Sequence, residues 1–335
     1  MTPEKKKTAL LCAILALCLV VLIVLVVLLV QRATEPSTPV VNQGQLQYIE
    51  IPNLDNMPLE KAKALLAELD IHYEIKPTES RIANRVEKIE YKGKTENGKK
   101  LMEIDSILTI YANEKGADKV IYLTFDDGPT FSNTFPILDT LDRYGVNATF
   151  FVLGNRIVEY SDRIIATQEH GHALACHSYS HDLERSSSGF VYASPSKMLE
   201  EISRYEDALI QVLGAQEFDK VAKLFRFPGG SSTNGRIEKA EAREYIAKIR
   251  EIGYRIFDWT ALTGDAEGKS STDEFISYMQ KGLEAAKENG DPIILLMHDK
   301  YTTSEALPDI LDYLIGEGYY FDTLDNCPEY TFAEK

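Results

Sequence analysis

The sequence predicts an α/β fold, a (β/α) barrel of about seven strands, preceded by a small α/β domain and one transmembrane helix. Three features of the chain indicate this organisation. A long uncharged apolar segment lies near the N-terminus, a short mixed pattern of strands and a helix follows, and the remainder alternates apolar strands with amphipathic helices. The chain has 335 residues, which is longer than one ordinary domain, so we expect two folded units.

The apolar segment from Ala9 to Val30 contains no charged residue. About 22 residues at roughly 1.5 Å each span the ~30 Å hydrocarbon core of a bilayer. Three lysines from Lys5 to Lys7 precede the segment and only Arg32 follows it, so the positive-inside tendency places residues 1–8 in the cytoplasm and the later chain outside. A cleaved signal peptide is the alternative, although its apolar run is usually only ~7–15 residues long. We therefore expect a single-pass protein of the cell membrane whose main part is extracytoplasmic.

The next segments are a linker, residues 31–45, and a small α/β domain, residues 46–115. The linker is rich in Thr, Pro, Ser and Gly, whereas the domain shows an amphipathic helix from Pro58 to Leu69 and a last strand from Ile107 to Ala112. The sequence IPNLDNMPLEKAKALLAELDI at 51–71 resembles a PASTA domain, a module of penicillin-binding proteins and membrane kinases. This resemblance implies peptidoglycan binding, and a simple spacer is the alternative.

Composition excludes some classes of function. The formal net charge of -16 argues against a nucleic-acid-binding protein, because binding to phosphates needs a basic face. Two of the four cysteines lie in the apolar N-terminal segment, which leaves Cys176 and Cys327 in the exported part. A framework of disulfides is therefore not expected, although one bridge between this pair is conceivable.

From residue 118 to residue 332 the chain alternates apolar runs with helical stretches, which indicates parallel strands covered by helices. Roughly 215 residues suit a barrel of seven or eight such units. The apolar runs are VIYLTF (120–125), ATFFVLG (148–154), HALACHS (172–178), LFRF (224–227), YRIFDW (254–259) and IILLMH (293–298).

Ionisable residues follow these apolar runs at the point where each strand should end. They are Asp126, Asp127, His177, His181, Arg226, Asp265 and His298. Because the carboxyl ends of parallel strands open at one mouth of a barrel, we expect these side chains to share a pocket.

The segment HSYSH carries two histidines, His177 and His181, four residues apart, which can bind one cation from the same side of a turn. Asp126 and Asp127 end a strand and point to opposite sides, so one of the two can complete the ligand set. An Asp-Asp-Gly-Pro turn without a metal is the alternative. Two imidazoles and one carboxylate leave coordination positions open, which is typical of a catalytic metal site.

Five motifs in this order resemble the NodB-homology polysaccharide deacetylases, carbohydrate esterase family 4, over residues 118–332. The motifs are TFDDG at 124–128, HSYSH at 177–181, RFPGG at 226–230, WTALTGD at 259–265 and LMH at 296–298. The resemblance implies the distorted (β/α) barrel of that family and hydrolysis of N-acetyl groups on a glycan.

The resemblance also implies roles for individual residues. Asp127, His177 and His181 would bind a divalent metal, zinc first, with Co²⁺, Mn²⁺ or Ni²⁺ as alternatives. Asp126 would be the general base, and the backbone N–H of Gly229 would stabilise the oxyanion.

On the other side of the site, His298 would protonate the leaving amine. Asp265 would pair with this histidine, and Arg226 would hold the base in position. The sequence WTALTGDA departs from the family pattern at Leu262 and Ala266, which leaves the shape of the acetyl pocket, and with it the substrate preference, open. No motif includes the histidines at positions 72, 170 and 172, so structural roles are expected for them.

The function expected from these observations is metal-dependent deacetylation of a cell-wall glycan, namely peptidoglycan N-acetylglucosamine or N-acetylmuramic acid. One alternative is another acetylated polysaccharide, such as chitin oligomers, poly-N-acetylglucosamine or xylan. The other is a catalytically silent protein that only binds the wall. The expected partners are the glycan and, through residues 9–30, the membrane.

Overall fold

The computed structural model of the protein describes residues 41–43, 46–116, 119–232, 239–269 and 271–334. The predicted transmembrane helix Ala9–Val30 and most of the predicted linker 31–45 lie outside these residues. Within the described ranges, none of the helices combines the length and the apolar character that crossing a bilayer requires.

The elements of the described chain are numbered in sequence order. The strands are β1 (Val41–Gln43), β2 (Leu46–Ile51), β3 (Tyr73–Pro77), β4 (Lys88–Glu90), β5 (Gly93–Glu96), β6 (Lys99–Glu103), β7 (Leu108–Ala112), β8 (Val120–Gly128), β9 (Thr149–Val152), β10 (Ala173–Cys176), β11 (Leu224–Phe225), β12 (Arg255–Ile256), β13 (Ala261–Leu262), β14 (Ile293–His298) and β15 (Tyr320–Asp322). The helices are α1 (Leu59–Glu68), α2 (Thr134–Tyr144), α3 (Gly154–Ile157), α4 (Ser161–Glu169), α5 (Pro195–Leu213), α6 (Ala215–Phe218), α7 (Lys239–Glu251), α8 (Thr272–Asn289) and α9 (Tyr301–Gly316).

The chain forms two compact units. The first comprises the described residues up to Asn53 together with Ala64–Tyr73 and Tyr91–Leu108. The second comprises Leu54–Lys63, Glu74–Glu90 and the described residues from Thr109 onward. The segment 46–115, which the sequence suggests as one PASTA-like domain, is thus divided between the two units.

The first unit contains an antiparallel sheet in the order β1-β2-β6-β5. Ile49 and Met102 are opposite each other in this sheet, and both are buried. Glu50 points to the other face, where it pairs with Lys99 at 2.8 Å. One face of the sheet is therefore apolar and the other is charged, as period-two alternation requires.

The second unit is built on an eight-stranded parallel sheet with the order β12-β11-β10-β9-β8-β14-β13, in which β15 pairs with β8. The predicted α/β fold of parallel strands is confirmed. The sheet has eight strands, the upper of the two numbers that the length suggests, because the chain returns after its last long helix and adds Tyr320–Asp322 beside the first half of β8.

The long strands of this sheet are buried almost throughout, which explains their continuous apolar runs. Helices cover the sheet with one apolar face. In α5, for example, Met198, Ile202, Tyr205 and Leu209 are buried at helical spacing. The Ser194 side chain caps this helix by accepting a hydrogen bond from the Lys197 N–H at 3.1 Å.

A segment that precedes the predicted catalytic region also belongs to the second unit. The Ala83 N–H donates to the Phe321 carbonyl, and the Phe321 N–H donates to the Arg81 carbonyl, each at 2.8 Å. The buried guanidinium of Arg85 donates to the carboxylate of Asp322 at 2.6 Å. Residues 81–85 therefore pair with β15 through one β-bridge at Ile82 and Phe321 and through the Arg85–Asp322 ion pair, which a boundary at residue 118 does not anticipate.

Cys176 and Cys327, the two cysteines within the described residues, are free and buried. Cys176 ends β10, and Cys327 follows the short 3-10 helix Leu324–Asn326. Burial raises the pKa of both thiols, so both are protonated at neutral pH.

Candidate active site

The ends of two neighbouring strands bring acidic and basic groups together. In the parallel pair β8 and β14, Asp126 is in register with His298. The Asp299 N–H donates to the Asp126 carbonyl at 2.9 Å, which ties the two strand ends. Asp126, Asp127 and His298 thus meet at the carboxyl edge of the sheet, where parallel α/β folds place their chemistry.

Asp127, His177 and His181 form a compact cluster in which one potential ligand atom from each residue lies within 4.8 Å of the others. Both histidine Nε2 atoms are 3.6 Å from Asp127 Oδ1. Asp127 has φ +69°, and the pairing of β8 with β9 shifts register between Asp126 and Gly128. The positive φ of Asp127 and the register shift occur where this side chain turns toward the two histidines. Residues with strained backbone conformations of this kind cluster at functional sites.

The donor set fits a divalent metal. Asp127 Oδ1 is buried, and in the described part of the chain it has no hydrogen-bond partner. His177 Nδ1 lies 2.9 Å from the Arg226 carbonyl, which can only accept, so Nδ1 carries the proton and Nε2 is free for a metal.

The charge states of the ligand side chains also suit a metal. Burial and the neighbouring His177 lower the pKa of His181 to about 4, so its ring is neutral. Burial opposes ionisation of Asp127, but the nearby histidines outweigh it and lower the pKa of this carboxyl. One carboxylate and neutral imidazole are the ligand forms that a divalent metal requires.

Asp126 occupies the flank of this cluster and is almost fully buried. Its Oδ1 accepts a hydrogen bond from Arg226 Nη1 at 2.7 Å. Its Oδ2 lies 3.6 Å from His177 Nε2. One oxygen of Asp126 is therefore held by Arg226, and the other faces the imidazole of His177.

Arg226 is completely buried and uses each of its nitrogens. It donates to Asp126, to Thr124 Oγ1 at 2.8 Å, and to the carbonyls of Phe257 and Asp258 at 3.0 and 3.1 Å. The guanidinium also lies 4.1 Å from the centroid of the Phe151 ring. The guanidinium of Arg226, which is held by these contacts, therefore fixes the position of the Asp126 carboxylate.

His298 is oriented by Asp265 through two hydrogen bonds. Its Nδ1 lies 2.8 Å from Asp265 Oδ1, and its backbone N–H donates to Asp265 Oδ2 at 2.7 Å. Thr303 Oγ1 donates to the same Oδ2 at 2.7 Å. Burial opposes the charge on His298, but the hydrogen bond and charge of Asp265 outweigh it and raise the pKa of the imidazole.

The turn after β11 contains two glycines with left-handed backbone conformations, Gly229 at φ +80° and Gly230 at φ +84°. The Gly230 N–H donates to the Phe227 carbonyl at 2.8 Å, and the Tyr192 hydroxyl donates to the Pro228 carbonyl at 2.7 Å. Residues with a Cβ rarely adopt this conformation, which explains the glycine pair. The oxyanion role of Gly229 stays a prediction.

The fourth motif has its unusual residues on different elements. Leu262 lies half-buried in β13, and Ala266 is exposed. Asp258, just before this motif, is buried and accepts from the N–H groups of Ser231 and Phe332 at 2.8 and 2.6 Å. The Asp258 carboxylate therefore holds the backbone at Ser231 and Phe332 and does not belong to the cluster of Asp127, His177 and His181.

Two of the remaining histidines make local contacts. His170 Nδ1 lies 2.6 Å from Asp142 Oδ2, and His172 Nδ1 accepts from the Ala148 N–H at 3.2 Å. Burial lowers the pKa of His172 to about 3, so this ring is neutral. Neither belongs to the metal cluster.

Glu201 is a buried residue of the site that the motifs do not include. Its carboxylate accepts hydrogen bonds from the N–H groups of Tyr179 and Ser180, which lie between His177 and His181 in the chain. An acidic residue within the apolar stripe of α5, three residues after Met198, is the sequence signal that could have identified it.

Comparison with known proteins gives a consistent result. A family model described as polysaccharide deacetylase matches residues 113–247. The chain is 30% identical to the Bacillus subtilis protein YheN over 211 residues, which are 62% of this chain and 68% of that protein. It is 32% identical to the peptidoglycan-N-acetylglucosamine deacetylase PgdA of Listeria monocytogenes over 62% of this chain, but it spans only 38% of that protein.

Among solved structures, the catalytic domain of peptidoglycan N-acetylglucosamine deacetylase from Eubacterium rectale is similar, with a TM-score of 0.54 and 28% identity. The likeness covers 64% of this chain and 92% of that domain. The parallel sheet, the Asp-His-His cluster and these likenesses agree, and the chain belongs to the polysaccharide deacetylase family, carbohydrate esterase family 4.

Proposed function

We propose that the protein is a membrane-anchored enzyme that removes N-acetyl groups from the glycan of peptidoglycan outside the cell, with zinc as its metal. The observation that carries this proposal is the cluster of Asp127, His177 and His181 at the same edge of the sheet as Asp126 and His298. A metal site flanked by a proton acceptor and a proton donor suits amide hydrolysis.

In this proposal Asp127, His177 and His181 hold the metal. A bound divalent metal would lower the pKa of a water ligand and polarise the acetamide carbonyl. Asp126, held by Arg226, accepts the proton of the attacking water. His298 then donates a proton to the departing amine, with Asp265 keeping the imidazole oriented and charged.

Several features support a peptidoglycan substrate. The related proteins from Listeria and Eubacterium rectale are named for deacetylation of its N-acetylglucosamine. The predicted membrane helix at 9–30 would present the enzyme to the wall, and the PASTA-like sequence at 46–115 would bind the same polymer. N-acetylmuramic acid, chitin oligomers, poly-N-acetylglucosamine and acetylated xylan are the other candidate substrates.

Acetate release by the exported part, residues 45–335, tests the proposal. We expect release from purified peptidoglycan in the presence of zinc, with the deacetylated sugar identified by mass spectrometry. Chitin oligomers, poly-N-acetylglucosamine and acetylated xylan serve as parallel substrates. Release from xylan alone would reject the peptidoglycan assignment, and no release from any of the four would favour a protein that only binds the wall.

The variant His177→Ala should lose both metal and activity, because it removes one of three ligands and the ring that faces Asp126. Metal content measured by atomic absorption after dialysis, together with acetate release, checks this. His170→Ala is the matched control, since this histidine pairs with Asp142 and should retain metal and activity. Full metal content in His177→Ala would show that the cluster is not the metal site.

The variant Asp265→Asn should move the alkaline limb of the kcat profile to lower pH. The hydrogen bond and charge of Asp265 raise the pKa of His298, so their loss lowers that pKa, and the protonated donor disappears at a lower pH. At neutral pH we expect kcat to fall by about 10²-fold. An alkaline limb that stays in place would mean that His298 is not the proton donor.

A further inference from the structure

Glu201 stands out as a carboxylate that is buried but is not part of the proposed catalytic groups. It lies in the middle of α5, and its side chain is 1% exposed. Its Oε2 accepts three hydrogen bonds, from the Tyr179 N–H at 3.1 Å, the Ser180 N–H at 2.7 Å and the Ser180 hydroxyl at 2.8 Å. All three donors belong to the two residues that separate Ser178 from His181.

The backbone that carries the two histidines is strained. Ser178 has φ +67° and His181 has φ +53°, a region that residues with a side chain rarely adopt. The His181 N–H donates to Ser178 Oγ at 3.0 Å, which closes the turn. Such a conformation persists only when surrounding contacts hold it, and Glu201 supplies contacts at its centre.

Two cations of the same helix accompany this carboxylate. Lys197 Nζ and Arg204 Nη1 lie 3.4 and 3.7 Å from Glu201 Oε1. The Arg204 guanidinium also lies 3.8 Å from the centroid of the Tyr179 ring. The two cations offset the free-energy cost of burying the Glu201 carboxylate. Helix α5 therefore contacts the turn in two ways, through Glu201 at the backbone and through Arg204 at the Tyr179 ring.

We propose that Glu201 is a positioning residue that sets the metal affinity of the site by holding the turn between His177 and His181. This inference rests on the proposed metal site and deepens it. In the absence of Glu201 the two imidazoles would have to be brought together when the metal binds, so binding would weaken. A residue that merely packs α5 against the sheet would change stability but not metal affinity.

The test is a Co²⁺ titration of the full-length protein purified in detergent, followed by the visible absorption of the bound cobalt. For Glu201→Ala we expect binding about 10- to 100-fold weaker than in the wild type. Glu201→Gln keeps an oxygen that can accept the same hydrogen bonds and should retain most of the affinity. Glu200→Ala is the matched control, because the neighbouring Glu200 is exposed and pairs only with Lys197 among the contacts described.

Thermal unfolding of each variant, measured without metal, shows whether it folds. If Glu201→Ala does not fold, Ser180→Ala decides, because it removes one of the three donors and should weaken Co²⁺ binding roughly two- to tenfold. If folded Glu201→Ala binds Co²⁺ as tightly as the wild type, the inference is overturned. If Glu201→Ala does not fold, the same result in Ser180→Ala overturns it. Acetate release by the wild type is measured in parallel. If the variants bind cobalt more weakly but the wild type releases no acetate, only the proposed function is rejected.

Discussion

Asp126→Asn should abolish acetate release while the metal stays bound. The amide oxygen of Asn can still accept the hydrogen bond that Arg226 donates to Asp126, so the geometry of the site is preserved. An amide cannot accept the proton of the attacking water, and loss of a general base costs about 10²- to 10⁴-fold in kcat. Metal content and acetate release, both measured on residues 45–335, check this expectation.

The neighbouring Asp127 provides the matched comparison. Asp127→Asn makes the same chemical change one residue later, but it removes a carboxylate of the metal cluster. We expect this variant to lose metal as well as activity. If Asp126→Asn stays fully active, the base is another group, and if both variants keep their metal, Asp127 is not a ligand.

Arg226→Met should lower the free energy of unfolding of the second unit by about 3–5 kcal/mol, because it leaves the buried carboxylate of Asp126 without its partner. It also leaves the carbonyls of Phe257 and Asp258 without this donor. Urea unfolding followed by tryptophan fluorescence measures the effect. Trp259 is the one tryptophan of the chain and lies in the second unit, so its signal reports on that unit.

Two further variants separate the causes of this loss. Arg226→Lys keeps the positive charge but not the planar fork, so its stability should lie between those of the wild type and Arg226→Met. Combining Arg226→Met with Asp126→Asn removes the unpaired charge and should recover part of the stability. Wild-type stability of Arg226→Met would contradict a role for this guanidinium in holding the site.

Sequence pattern alone was enough to predict the long elements of the second unit and the strand ends that carry the ionisable residues. The run IILLMH corresponds to β14, and the run VIYLTF is the first part of β8. Strands of a parallel sheet are buried on both faces, so they appear as continuous apolar runs. For this reason the sequence was sufficient to place Asp126, His177 and His298 at one edge of the sheet.

Other features depend on contacts between residues that are far apart in the chain, so only the folded structure reveals them. The two-residue strand Ala261–Leu262 and the strand Tyr320–Asp322 are too short to show a period. The pairing of Arg85 with Asp322 joins residues 237 positions apart, which no local pattern reveals.

The spacing of the two adjacent aspartates left open which of them faces the histidines, and only the family resemblance implied Asp127. In the structure Asp127 turns toward His177 and His181, whereas Asp126 is held by Arg226. Local pattern specifies the period of a strand or helix and the residue at its end, because these depend on neighbours in the chain. The direction of a side chain and its partner depend on packing between elements, so only the folded chain decides them.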